Sequence, residues 1–282
     1  MGRLIKPKNK SKGLIVVTGC DTGIGRSLAK ILVKKGYQVA LSYLNENPFA
    51  NKPGFYAKKM DLRVPSEVHE FCLFVKELCQ SGMHLDALVN NAGVALGGPV
   101  ENIPLTLYRE AFEINYFGVV TVTKELIPEL IKNKGKIMVI GSLAGKIAMP
   151  FMSPYVSTKF ALEGFCDSLR REMNPFGVKT ILIEPGGVAT EIWNTAMKQD
   201  ISFVEEKYRD SLHSFQTNFI ENGNKGMDQD AASNMIANIL LKNNPKARYL
   251  VAQNRLTTKI LTLIPNVIFD KVVVKLFQMH YQ

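Results

Sequence analysis

Tyr155 and Lys159 stand four residues apart in the run Tyr155-Val156-Ser157-Thr158-Lys159. On a helix that spacing stacks one side chain over the next, which sets an ammonium beside a phenol. A free phenol, with a pKa near ~10, exchanges protons poorly at neutral pH. A cation about 4 Å away contributes roughly 4 kcal/mol at an effective dielectric of ~20, enough to bring the phenol near neutrality before desolvation is counted. Such a tyrosine can protonate a carbonyl oxygen or take the proton of an alcohol. Taken alone, the pair reads first as a solvated helical contact. Its surroundings decide.

Those surroundings are strand tips. Leu14-Ile15-Val16-Val17 reads as a buried parallel strand, followed by Thr18-Gly19-Cys20-Asp21-Thr22-Gly23-Ile24-Gly25 and a helix through Arg26–Leu32. Glycines between a strand and a helix let a pyrophosphate approach the backbone at the positive end of the helix dipole. Leu85–Val89 is a second buried strand ending in Asn90-Asn91-Ala92-Gly93. Lys136–Ile140 is another, and it delivers Gly141 and Ser142 thirteen residues before Tyr155. Ligands of open α/β sheets bind outside the carboxyl ends of the strands, so these tips share one crevice. Further strands are expected over 36–43, 54–61, 177–184 and near 249–251. Helices are expected around Val68–Val75, from Leu105 to Asn133 in one piece, and up to Leu241. The alternation implies an α/β fold, a Rossmann-type doubly wound parallel sheet flanked by helices.

With these motifs in order, the chain resembles the short-chain dehydrogenase/reductase family over roughly its first 190 residues. The matching positions are Thr18, Gly19, Gly23, Gly25, Asp61, Asn90-Asn91-Ala92-Gly93, Asn115, Ser142, Tyr155, Lys159 and Pro185-Gly186. The resemblance implies an oxidoreductase using NAD or NADP to interconvert an alcohol with a ketone or aldehyde. It implies a catalytic tetrad of Asn115, Ser142, Tyr155 and Lys159, with Asn115 supporting a water that links Lys159 to solvent. Cofactor contacts are implied for Thr18, Gly19, Asp21, Gly23, Ile24, Gly25, Asp61, Leu62, Asn91, Ala92, Gly93, Tyr155, Lys159, Pro185, Gly186, Val188 and Thr190. It further implies a mobile substrate lid over about 190–226 and a homodimer or homotetramer.

Composition bounds the alternatives. A chain of 282 residues, 46% hydrophobic and 21% charged, suits one globular domain. No apolar run nears the ~18 residues of a membrane span. The basic tail over residues 1–12 lacks a signal-peptide core, and Lys6 breaks the myristoylation pattern. With four scattered cysteines, a cytoplasmic setting is expected. Cysteines 20, 72, 79 and 166 and the four histidines offer no metal-ligand spacing, so no metal is expected. A net charge of +10 without an aromatic-interleaved basic stripe points away from nucleic acid.

Finer specificity rests on fewer residues. The second strand ends in Ser42-Tyr43-Leu44-Asn45, with neither the acid that would bind the NAD ribose nor the arginine that would bind the NADP phosphate. Asp21 would repel a 2′-phosphate, while Lys58 or Lys59 could attract one; the balance leans to NAD. The Gly19-Cys20-Asp21 and Leu44 combination, with the tail, is similar to the hydroxysteroid and retinol dehydrogenase branch. Met149, Phe151, Met152, Trp193 and Met197 would wall an apolar pocket for a lipid-, steroid- or retinoid-like substrate. Residues 254–282 form an amphipathic extension able to pack on its own subunit, on a second one, or on a membrane surface, with packing on protein favoured, and the resemblance implies that it helps to wall the substrate pocket. A redox-sensing dinucleotide-binding regulator and a sugar-nucleotide epimerase or dehydratase are the rival readings. The first is disfavoured by the intact Tyr-Lys pair, the second by the glycine spacing.

Overall fold

The computed structural model describes residues 12–277. The expected basic tail lies outside these residues apart from Lys12, as does the end of the chain from 278. In chain order the elements are β1 (Lys12–Val17), α1 (Gly23–Lys34), β2 (Tyr37–Tyr43), β3 (Phe55–Lys59), α2 (Pro65–Gln80), β4 (Leu85–Asn90), α3 (Leu105–Phe112), α4 (Gly118–Asn133), β5 (Lys136–Ile140), α5 (Ser153–Met173), β6 (Lys179–Pro185), α6 (Glu191–Met197), α7 (Glu206–Phe215), α8 (Glu221–Asn224), α9 (Gln229–Leu240), β7 (Arg248–Val251), α10 (Arg255–Leu261) and α11 (Asn266–Leu276).

The seven strands form one sheet in the order β3-β2-β1-β4-β5-β6-β7, and every pairing is parallel. The order reverses between β1 and β4, which opens a crevice at their carboxyl ends. Successive side chains of a strand point to opposite faces, and both faces are covered here. Leu14 and Val16 of β1 therefore join one core with α2, α4 and α5, whereas Ile15 and Val17 join a second with α1 and α9. β5 divides alike, with Ile137 and Val139 on the first side and Met138 and Ile140 on the second. This double burial is why the strands read as unbroken apolar runs. A third cluster lies outside the sheet, where Phe151, Val204, Leu212, Phe215 and Phe277 pack together.

One element departs from expectation. The helix anticipated from Leu105 to Asn133 is broken by a π-helical turn over Glu113–Phe117, between α3 and α4. The wider turn carries Asn115, whose side chain is buried. No proline or glycine falls within those five residues, so the bulge leaves no mark in the sequence pattern. Such turns often occur at functional sites.

Candidate active site

The first half of the site is a cradle at the tips of β1, β2 and β4. Gly19 has φ +69°, and a Cβ there would lie 2.7 Å from the Ala92 Cα. A Cβ on Gly25 would overlap the Gly19 carbonyl and the Asn91 side-chain amide. Two close backbone approaches thus exclude any larger residue. Asn91 fastens the turn by donating from Nδ2 to the carbonyls of Thr18 and Gly19, each at 2.9 Å. Thr18 Oγ1 returns the contact by accepting from the backbone N–H groups of Asn91 (3.0 Å) and Ala92 (3.1 Å). Thr18 and Gly25 consequently stand behind the wall and shape it, rather than lining it as expected. Gly19, Gly23, Ile24, Asn91, Ala92 and Gly93 face the cavity, and α1 directs its unpaired N-terminal amides into it.

Asp21 lies at the outer end of this cradle. Its carboxylate accepts from the backbone N–H groups of Leu44 (2.9 Å), Asn45 (2.7 Å) and Glu46 (3.3 Å), tying the glycine turn to the end of β2. Asp61 and Leu62 also line the cavity, with Asp61 gripped by Arg63 at 2.7 Å. The Arg63 guanidinium holds the Asp61 carboxyl below its usual value. Lys58 and Lys59, proposed to attract a phosphate, do not line the cavity, although Lys59 is close enough to help lower the Asp61 carboxyl. Lys58 pairs with Glu70 on α2 at 3.2 Å, and Lys59 is exposed away from the cavity wall. Residues of the right kind for a dinucleotide therefore surround a continuous cavity of about 700 Å³, which Pro185, Gly186, Val188 and Thr190 close from the β6 side.

At the middle of the cavity Ser142, Tyr155 and Lys159 converge. Ser142 caps the turn after β5, its Oγ accepting from the Ala144 N–H at 3.1 Å. Lys159 donates to the Ile140 carbonyl at 3.0 Å, with its Nζ 5.5 Å from the centroid of the Tyr155 ring. The expected effect of the lysine on the phenol does not hold here. Burial pushes the Tyr155 phenol up, and only the Ser142 hydroxyl works against it. Burial also lowers the Lys159 ammonium to about 8, so it stays mostly charged at neutrality and loses its charge just above it. A neutral phenol beside a serine hydroxyl can hand a proton to a carbonyl oxygen.

Asn115 joins the group from behind. Its Nδ2 donates to the Val94 carbonyl (2.9 Å) and to Thr158 Oγ1 (3.1 Å), and its Oδ1 accepts from the Val94 N–H (2.8 Å). This side chain is committed to the irregular segment after Gly93 and to α5, with both amide donors used.

The far half is apolar. Met149, Met152 and Trp193 line it as expected, joined by Ile147, Ile192 and Phe219. Phe151 and Met197 do not. Phe151 turns away with φ +60° to stack edge-on with Phe215, and Met197 is exposed on α6. Leu261 of α10 and Phe269 of α11 complete the wall. Both belong to the apolar tail beyond Asn254, which the family resemblance places at the mouth of the substrate crevice. Residues 188 and 227 meet in a parallel bridge, so the intervening segment arches out and back over this half. Gln199 latches it down, accepting from the Gly97 N–H at 2.9 Å and donating to the Gly97 carbonyl at 2.5 Å.

Fold and site together define a class: a doubly wound dinucleotide-type sheet whose crevice holds a buried Tyr-Lys pair beside a serine hydroxyl. The chain belongs to the short-chain dehydrogenase family, whose model matches residues 13–201. It is 34% identical to the uncharacterized oxidoreductase YusZ of Bacillus subtilis, over 90% of this chain and 95% of that protein. It is 31% identical to the NADPH-dependent 3-dehydrocapnine reductase of Ornithobacterium rhinotracheale, over 92% and 95%. In three dimensions it is similar to a short-chain dehydrogenase from Streptomyces avermitilis, with a TM-score of 0.76 at 21% identity, covering 98% of this chain and all of that one.

Proposed function

We propose that the protein is a nicotinamide-dependent dehydrogenase or reductase that interconverts an uncharged, hydrophobic alcohol with its ketone or aldehyde. The observation carrying this reading is the cavity wall itself. Around Tyr155 it is built from Ile147, Met149, Met152, Ile192, Trp193 and Phe219. The cations on the wall are Lys159, beneath the phenol, and Arg63, already held by Asp61 and Glu110 at the dinucleotide end. Among the described residues no further lining cation is left to greet a carboxylate or phosphate on the substrate. A lipid-, steroid- or retinoid-like molecule suits such a wall.

The bound dinucleotide supplies the hydride acceptor or donor. Ser142 would hold the substrate oxygen, Tyr155 would exchange a proton with it, and Lys159 would bind the nicotinamide ribose. Asn115 positions Gly93 and α5 relative to each other. NAD is the preferred cofactor in this reading, because the Asp21 carboxylate lies at the end of β2 and the cation of that end, Arg63, is already held by Asp61 and Glu110. The NADPH dependence in the capnine-reductase relative's name makes this choice a useful measurement. The segment over 190–226 serves as the substrate lid, the active form is a homodimer or homotetramer, and the setting is cytoplasmic.

Tyr155→Phe tests the assignment, since it removes the proton-transfer group and keeps the ring. Turnover followed by nicotinamide absorbance should fall by ~10²–10⁴, with dinucleotide affinity nearly unchanged. Near-native turnover would overturn it.

A further inference from the structure

The two C-terminal helices have two different sides. Toward the protein, Leu261 and Phe269 line the cavity and Phe277 is buried, its ring centroid 5.2 Å from that of Phe215. Toward solvent, Leu256, Leu263 and Val267 are 70% exposed or more, and Ile260, Ile268 and Val272 are more than half exposed. These side chains cover both helices and the turn between them. Fully burying one aliphatic side chain of this size is worth ~1.5–3 kcal/mol, so an apolar face this broad calls for a cover.

Charge identifies the cover. Between residues 254 and 277 stand Arg255, Lys259, Lys271 and Lys275, against Asp270 alone. Among the described residues none of these four cations is in an ion pair. The whole chain carries +10. Surfaces that bury against another protein are rich in aromatics, methionine and arginine and poor in lysine. The outer face of α10 and α11 is aliphatic and lysine-bearing, the composition of helices that lie in a lipid headgroup layer.

We propose that α10, α11 and their connecting turn dock the protein onto an anionic phospholipid bilayer, with the mouth of the cavity at the lipid boundary. The helices lie in the surface; no helix among the described residues is long and apolar enough to cross it. Leu261 and Phe269 belong at once to the docked helices and to the cavity wall, so an apolar molecule leaving the bilayer would enter directly between them. That last step rests on the proposed function, whereas docking does not.

The experiment is vesicle flotation of the full-length protein, with no substrate present. Vesicles of phosphatidylcholine mixed with phosphatidylserine should bind it at least tenfold more strongly than phosphatidylcholine alone. The double variant Leu263→Glu/Val267→Glu alters only exposed side chains outside the cavity lining. Its binding should fall by about 100-fold or more while dinucleotide binding is retained. A second variant, Lys259→Glu/Lys275→Glu, should lose the preference for anionic vesicles while leaving the apolar face intact. Wild-type protein that stays unbound to both vesicle types would overturn the proposal. So would variants that float like the wild type, or a Leu263→Glu/Val267→Glu protein that changes only from dimer to monomer. Loss of turnover in Tyr155→Phe leaves the flotation result untouched, so the two readings fail separately.

Discussion

Replacing Lys159 with Met should stabilise the protein at neutral pH even as it abolishes activity. The side chain is buried, at 6% exposure, and its ammonium is lowered from the ordinary 10.5 to about 8. Below pH 8 the folded protein holds a charge that the unfolded chain solvates better. That difference is ~3 kcal/mol against folding. The penalty is present in full below the folded value and fades as pH rises through the window from 8 to 10.5, where both states become neutral. Against it stand the bond to the Ile140 carbonyl and the contact with the Tyr155 ring, together about 1–3 kcal/mol. Methionine keeps the packed stem and loses both. The net gain at pH 7 is therefore small, about 0–2 kcal/mol, but its pH dependence is large. Urea unfolding of wild type and Lys159→Met at pH 7 and pH 10 should show the variant's relative stability falling by about 2–3 kcal/mol at the higher pH. A difference that is the same at both values would mean that Lys159 is not perturbed in the folded protein, and the electrostatic account would fail.

Asp21→Ser should raise the ratio of kcat/KM for NADP over NAD by about fivefold, because it removes a charge worth ~1 kcal/mol to a nearby phosphate; a ratio that stays flat or moves toward NAD would show that Asp21 acts only as the clamp on residues 44–46. Gln199→Ala removes both bonds to Gly97, each worth ~1 kcal/mol, so KM for an apolar substrate should rise by up to about 30-fold with dinucleotide affinity unchanged. Asn115→Ala leaves both backbone groups of Val94 without partners and should lower unfolding free energy by about 2–4 kcal/mol in urea titrations, with turnover falling as α5 loses its register.

Where chemistry and local pattern coincide, the sequence was legible. The apolar runs of β1, β4, β5 and β6 are continuous because both sheet faces are covered, and each was placed within two residues. Gly19 and Gly25 were recognisable because strand-turn-helix geometry leaves no room for a Cβ. The parts that escaped depend on long-range contact. Whether Phe151 faces the cavity is decided by Phe215, 64 residues away, and by a left-handed backbone that a phenylalanine does not advertise. The lysine's effect on Tyr155 was read from spacing alone, whereas burial by the surrounding sheet and loops reverses the direction. The π turn at Asn115 lies in a helical pattern that remains amphipathic on both sides of it.

Function and stability pull against each other along the carboxyl edge of the sheet, and the residues behind the proton-transfer group show how the structure holds it. Glu163, one turn beyond Lys159, is buried and receives Lys146 at 2.7 Å and Arg248 at 3.1 Å. Glu184 joins the same cluster, its carboxyl pushed up by burial and then by Glu163. The carboxylates are largely buried while Lys146 and Arg248 are about one third exposed, so losing a cation strands a carboxylate with little water around it. Their placement makes that liability useful. Lys146 follows the turn that carries Ser142, Glu163 shares α5 with Tyr155, Glu184 precedes Pro185-Gly186, and Arg248 opens β7. One cluster thus joins the loop after β5 to α5, β6 and β7. Any shift of Ser142 relative to Tyr155 must then pull a buried carboxylate off its cation, so the spacing of the two hydroxyls is held by the cost of breaking the cluster.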